Sequence, residues 1–103
     1  MESTSEYLLR ATVRRTPVWT VGGEAVDPRS LPLSERLLVA LADWAAFYDD
    51  VGGEIGDADV LDEFVSQGFK IGHAMRRELK GSAVHFEHPA TGERIRIELR
   101  RRR

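Results

Sequence analysis

An apolar stripe in the second half of the chain constrains the fold more than any other feature of the sequence. Its members recur every three or four residues: Leu61, Phe64, Gly68, Ile71, Met75 and Leu79. Because this spacing places all of them on one side of a helix, it predicts a helix over about residues 59–80. Asp57 or Asp59 can cap its start, and Gly81 follows where a left-handed residue would end it.

A shorter stripe of the same kind comes earlier in the chain. Ser34 suits the N-cap position that begins a helix. The apolar residues that follow it at helical spacing are Leu37, Leu41, Trp44, Tyr48 and Val51. The pattern predicts a helix over roughly residues 35–51, which stops at Gly52 and Gly53.

Outside the two helices, apolar residues occur at every second position, a pattern that is typical of strands buried on one face. Residues 6–15 alternate in this way, and residues 5–21 predict one bent strand or a ragged hairpin. Residues 22–33 contain glycine and two prolines, and they predict a loop. Residues 84–99 predict a second hairpin with its turn at 88–92.

Together these elements predict one α+β domain over residues 1–103, in the order β(β)ααββ. An antiparallel sheet with two helices packed on one face would bury all four apolar stripes around one core. We expect residues 1–4 and 101–103 to be frayed.

Several classes of function lack the residues that they need. The chain has no cysteine, which excludes disulfides, thiolate zinc sites and cysteine nucleophiles. It has no glycine-rich phosphate loop, and none of its serines lies in a nucleophile elbow. No apolar run approaches the roughly 20 residues that span a bilayer, and the start does not have the pattern of a signal peptide. We therefore expect a cytoplasmic protein that is not an enzyme and has no cofactor and no membrane partner.

The three histidines offer a metal site only if the fold brings them together. His85 and His88 stand three apart, and residues with that spacing in a strand point to opposite faces. His73 belongs to the second predicted helix. We expect exposed hairpin histidines and no metal ion, since zinc would need several of these nitrogens at one point.

Charge is distributed unevenly along the chain. Residues 37–69 carry eight acids and no base, whereas residues 70–103 carry ten bases and four acids, although the net charge of the chain is only −2. Helix surfaces usually mix signs, because opposite charges one turn apart contribute a few tenths of a kcal/mol. A segment of one sign favours an oppositely charged partner. Any of Trp44, Phe47 and Tyr48 that is exposed would supply an aromatic anchor.

A resemblance to known proteins lies in residues 33–79, about half of the chain. Leucines lead to the run Asp43-Trp44-Ala45-Ala46-Phe47-Tyr48-Asp49, and an acidic linker leads to Phe64, Gly68 and the run Met75-Arg76-Arg77-Glu78-Leu79. This pattern resembles small actinobacterial proteins, and it is similar to the compact acidic immunity proteins that neutralise secreted bacterial toxins. The resemblance implies inhibition of a cognate toxin, with no catalytic residue to carry over. The basic C-terminal strand departs from a uniformly acidic immunity protein.

We therefore predict an immunity-type inhibitor whose acidic helix pair docks onto a protein partner with a basic surface, such as a toxin or nuclease. The predicted contact residues are Asp43, Phe47, Asp49, Asp50, Glu54, Asp57, Asp59, Asp62 and Glu63. One alternative is a small regulatory domain that forms a homodimer by pairing its acidic helices with the basic hairpin of another copy. Nucleic-acid binding through the C-terminal arginines is less favoured, because no aromatic residues are interleaved with them.

Overall fold

The two helical stripes fold into the two helices that their spacing predicts. A computed structural model, which describes residues 6–98, contains helix α1 at Glu35–Asp50 and helix α2 at Ala58–Glu78. Ser34 caps α1, because its Oγ accepts a hydrogen bond of 3.2 Å from the backbone N–H of Leu37. The predicted start of α1 is therefore confirmed.

Of the two candidate caps for α2, the structure selects Asp57. Its Oδ1 accepts hydrogen bonds from the backbone N–H groups of Asp59, at 2.8 Å, and Val60, at 3.2 Å. After α2 the chain turns at Gly81, whose φ of +85° lies in the left-handed region. Since that region disfavours residues with a Cβ, glycine suits this position.

Within residues 6–98 the sheet has five strands, and the fold class is α+β as predicted. The strands are β1 at Glu6–Leu9, β2 at Val18–Thr20, β3 at Ala25–Val26, β4 at Ala83–Glu87 and β5 at Arg94–Arg96. Their order across the sheet is β3-β2-β1-β4-β5. Both terminal segments predicted to fray lie outside the described residues, as do Leu99 and Arg100 of the predicted last strand.

The prediction of a wholly antiparallel sheet is wrong at the centre, where β1 and β4 pair in parallel. Their register places Tyr7 opposite Val84 and Leu9 opposite Phe86, while the other three strand pairs are antiparallel. Parallel strands need a long crossover, and the two helices provide one between the first three strands and β4. The sheet is therefore mixed.

Of the two alternatives predicted for residues 5–21, the structure selects the hairpin, because β1 and β2 pair antiparallel. Other details of the first half of the chain differ from the prediction. The first strand ends at Leu9 rather than continuing to residue 15, and residues 10–17 form the loop that connects it to β2. The segment 22–33, which we predicted to be a loop, contains β3 and a short 3-10 helix at Pro28–Ser30. Glycine and proline indicate where a chain turns, but they do not show which two-residue segments between turns can pair.

Both helices pack on the sheet face that carries Leu9, Val18 and Phe86, and together they form one apolar cluster. The glycines in α2 allow this close packing. A Cβ at Gly68 would lie 2.9 Å from Cζ2 of Trp44, and one at Gly72 would lie 3.0 Å from Cδ1 of Ile97. The two glycines therefore serve close contact between α2 and the core.

Candidate functional site

All eight acidic residues of the segment 37–69 have exposed positions in the structure. They lie on α1, on the turn between the helices and on the first half of α2. The members are Asp43, Asp49, Asp50, Glu54, Asp57, Asp59, Asp62 and Glu63. Because water surrounds them, like-charge repulsion within the group is tolerable, and the segment presents a field of one sign to an approaching molecule.

A surface groove brings two of these carboxylates next to an exposed aromatic ring. The groove has a volume of about 340 Å³, and its lining consists of Phe47 from α1 and five residues of α2: Asp59, Val60, Glu63, Phe64 and Gln67. We call it the acidic groove. Phe47 is 38% exposed and Val60 is 40% exposed. The groove therefore combines accessible apolar surface with negative charge.

Phe64, which lines the acidic groove, is stacked on an aromatic ring of the core. The ring of Phe64 lies parallel to the indole of Trp44, with the centroids 4.5 Å apart, and Phe47 adds a tilted contact at 5.8 Å. The indole Nε1–H of Trp44 donates a hydrogen bond of 3.0 Å to the backbone carbonyl of Phe64. Trp44 is only 2% exposed, so this residue is part of the core and is not an exposed anchor.

Two of the predicted contact residues have structural roles of their own. Asp57 caps α2, as described above. Asp49 accepts a hydrogen bond of 2.7 Å at Oδ1 from the backbone N–H of Arg14, and this bond ties the β1–β2 loop to the end of α1. Neither residue lines the acidic groove. Each retains a negative charge that adds to the local field.

The other predicted residues differ in how close they lie to the groove. Asp43 lines an adjoining hollow of about 330 Å³, which shares Gln67 with the acidic groove and has Lys70 on its wall. Asp50, Glu54 and Asp62 are exposed but line neither cavity. The structure thus brings together only Phe47, Asp59 and Glu63 of the predicted set.

Sequence reasoning missed Val60 and Gln67 as groove residues. Val60 is not a member of the apolar stripe of α2. It directly precedes Leu61, which is a member, so its side chain leaves the helix in another direction. An apolar residue outside the stripe, in the acidic first turn, is the signal that could have identified it. Gln67 follows Glu63 by one helical turn, and its Nε2 donates a hydrogen bond of 3.1 Å to Oε2 of that residue.

Each of the three histidines has a hydrogen-bonding partner of its own. His73 Nδ1 lies 2.8 Å from the carbonyl oxygen of Phe69, and His85 Nε2 lies 3.2 Å from a carboxylate oxygen of Glu6. His88 Nδ1 accepts a backbone N–H in the hairpin turn. Among residues 6–98, no three histidine or acidic side chains come together as a metal site would require.

The acidic groove has the chemistry of a binding surface. Its carboxylates can pair with lysine or arginine side chains, and Phe47 and Val60 can contact an apolar group placed between them.

Neither α1 nor α2 is long and apolar enough to cross a membrane, and these are the two α-helices of the described part of the chain.

Comparison with known proteins gives one family. A family model described as Serratia CdiI immunity protein-like matches residues 6–88. The matched residues include β1 to β4, both helices and the whole acidic groove. The search of curated proteins gives no match.

Proposed function

Because this chain belongs to the Serratia CdiI immunity protein-like family, we propose that it neutralises a cognate bacterial toxin by covering part of the toxin with its acidic groove. The observation that carries the proposal is the pairing of exposed apolar side chains, Phe47 and Val60, with the carboxylates of Asp59 and Glu63 in one groove. The family match supports an immunity role, and the groove supports this location for the contact.

The charge of the segment indicates the chemistry of the partner. Eight exposed carboxylates without a base in residues 37–69 attract a basic surface and raise the rate of encounter with it. A toxin that acts on nucleic acid needs such a surface to hold phosphates. We therefore propose a toxin with a basic surface, such as a nuclease, and inhibition by covering its substrate site.

The affinity would depend on the apolar part of the acidic groove. Exposed charge pairs contribute about 0–1 kcal/mol each, whereas a buried aromatic anchor often contributes 2 kcal/mol or more to binding. Phe47 is 38% exposed and rests against the buried ring of Phe64, so a partner side chain could bury it without rearranging the core. The carboxylates then set orientation and rate, and Phe47 and Val60 slow dissociation.

We propose that the protein acts as a stoichiometric inhibitor and not as an enzyme, in the bacterial cytoplasm and in an actinobacterium. The family match supports the inhibitory role, while the arginine-rich composition is the basis for the source organism.

Self-association through the basic hairpin is less well supported. Arg94 Nε lies 3.1 Å from Glu87, Arg10 Nε lies 3.3 Å from the same carboxylate, and Arg96 Nε lies 3.5 Å from Glu98. These arginines have acidic partners within the chain, so the described hairpin offers little uncompensated positive charge to a second copy.

The test is titration of the purified protein with the toxin domain encoded beside its gene, by calorimetry and by inhibition of toxin activity. We expect a 1:1 complex that Glu63→Lys weakens by at least tenfold and Phe47→Ala by a similar factor. Glu24→Lys is the matched control, because Glu24 is an exposed acid on the turn before β3. Equal affinity for the wild type and both groove variants would overturn the proposal.

A further inference from the structure

A second groove lies on the flank of α1 opposite the acidic groove. Its charged side chains are mainly arginines rather than carboxylates. It has a volume of about 550 Å³, and it opens where the β1–β2 loop and the 3-10 helix meet α1. We call it the arginine groove and define it by Arg14, Arg15, Arg29, Val26, Leu38 and Ala42. A volume of this size lies within the range of ordinary ligand-binding clefts.

The lining of the arginine groove combines apolar side chains with charged ones, and most of the charged ones are arginines. Leu38 and Val26 are half-buried and contribute apolar surface. Three arginines line the groove against one acid, Asp27, whose Oδ1 accepts the backbone N–H of Arg29 at 3.0 Å. Arg29 also contacts Glu35 at 3.6 Å, but both side chains are largely exposed, so this pair is weak. The groove therefore suits an apolar group that carries negative charge.

The loop that supplies two of these arginines is held in place before any partner arrives. Arg14 has a φ of +61°, a left-handed conformation that is unfavourable for a residue with a Cβ. The hydrogen bond from its N–H to Asp49 holds it there. The guanidinium of Arg15 lies over the ring of Trp19, 5.5 Å from the centroid. Since this loop is already ordered, binding would cost less conformational entropy.

The two grooves open on the two flanks of one helix, α1. Ala42 lines the arginine groove, and Phe47 lines the acidic groove. The two residues lie about 7.5 Å apart along the helix axis and point about 140° apart around it, on a helix that is roughly 10–12 Å wide. A standard interface covers about 800 Å² on each partner, which corresponds to a patch roughly 28 Å across. One partner of ordinary size can therefore cover both grooves at once.

We propose that the arginine groove is a second contact for the same toxin, and that it takes an acidic segment of the toxin carrying an apolar side chain. This inference rests on the proposed function. It makes the interface dipolar, with the toxin's basic surface at the acidic groove and its acidic segment at the arginine groove. Opposite charges at the two ends fix the orientation of the complex, because the reversed orientation would place like charges together.

The experiment compares charge reversals in the two grooves, with calorimetry against the toxin domain encoded by the neighbouring gene. We expect Arg29→Glu to weaken binding by at least tenfold. Arg77→Glu is the matched control, since Arg77 is an exposed arginine near the end of α2, and we expect it to change affinity less than twofold. Arg29→Gln removes the charge without reversing it, and it should give an intermediate loss even if Arg29→Glu folds poorly.

The outcomes separate this inference from the proposed function. If Arg29→Glu and Arg29→Gln both bind within twofold of the wild type while Glu63→Lys is weakened, the arginine groove is not a toxin contact and the proposed function stands. If Glu63→Lys also binds normally, both proposals fall. In the supporting outcome, the backbone amide signals of Val26 and Arg29 shift in NMR spectra of the labelled protein when the toxin domain is added.

Discussion

The carboxylate of Glu78, in the last turn of α2, accepts two hydrogen bonds from Ser34, which caps the start of α1. The oxygen atoms of Glu78 lie 2.6 Å from the Ser34 backbone nitrogen and 2.9 Å from its hydroxyl. That hydroxyl oxygen in turn accepts the backbone N–H of Leu37. A negative charge at the N-terminus of a helix also interacts favourably with the helix dipole. One end of α2 therefore stabilises the beginning of α1, 44 residues earlier in the chain.

The first prediction concerns this connection between the helices. We expect Ser34→Ala and Glu78→Ala each to lower the free energy of unfolding by about 1 kcal/mol, as loss of a helix cap usually does. Because both substitutions remove the hydrogen bond between the Ser34 hydroxyl and Glu78, the double variant should lose less than the sum of the two. Urea unfolding followed by tryptophan fluorescence measures all three. Ser66→Ala, at an exposed position within α2, is the control; additive losses would show that the contact contributes nothing.

Sequence periodicity was sufficient to predict both helices, but it did not predict the contact between Ser34 and Glu78. The stripes of α1 and α2, the cap at Ser34 and the turn at Gly81 all depend on residues that are close together in the sequence. The parallel pairing of β1 with β4 joins residues nearly 80 positions apart, with both helices between them. Strand order of this kind is set by packing over the whole chain, and the alternation within each strand gives no information about which neighbour it will have.

The second prediction tests how closely α2 approaches the core. Gly68→Ala would gain about 1 kcal/mol in helix propensity. Its new Cβ, however, would lie 2.9 Å from buried atoms of both Trp44 and Phe86. Overpacking of a core costs about 1–3 kcal/mol, so we expect net destabilisation of about 1 kcal/mol in thermal or urea unfolding. Gly56→Ala is the control, because a Cβ there would meet no atom within 4 Å. An unchanged or higher stability of Gly68→Ala would mean that the side chains of Trp44 and Phe86 can shift at little energetic cost.

The third prediction separates the structural role of Asp49 from its charge. Asp49→Ala removes the acceptor for the N–H of Arg14, a contact of 2.7 Å, and we expect it to lower the free energy of unfolding by about 1 kcal/mol. Asp49→Asn keeps a carbonyl oxygen at that position, so its stability should stay closer to that of the wild type. Denaturant unfolding of both variants measures the difference, and equal losses in the two would show that the charge, not the acceptor, matters.

The composition of the candidate site was predictable in part. The run of eight acids indicated an exposed surface of one sign, and Phe47 proved to be half-exposed. The helical stripe already placed Trp44 on the buried side of α1 and left Phe47 outside it, but it could not predict that Phe47 would lie against Phe64 at the edge of a groove. The arginine groove was not predictable either, because Arg14 belongs to the β1–β2 loop and Arg29 to the 3-10 helix, two segments that meet only in the fold.

The last prediction is that one substitution in the acidic groove will leave the fold slightly more stable while it weakens toxin binding. Asp59 and Glu63 stand one helical turn apart on α2 with the same charge, and such a pair destabilises a helix by a few tenths of a kcal/mol. Glu63→Lys replaces it with an acid followed by a base, the favourable order. It loses only the exposed contact with Gln67.

We therefore expect Glu63→Lys to raise the free energy of unfolding by up to about 0.5 kcal/mol and to weaken toxin binding at least tenfold. Glu63→Gln, which removes the charge without reversing it, should lie between the wild type and Glu63→Lys in both measurements. Urea unfolding and calorimetry on the same preparations give the two numbers. A variant that loses stability and binding together would mean that Glu63 supports the fold, whereas opposite changes would mean that its charge serves the partner at a cost to the helix.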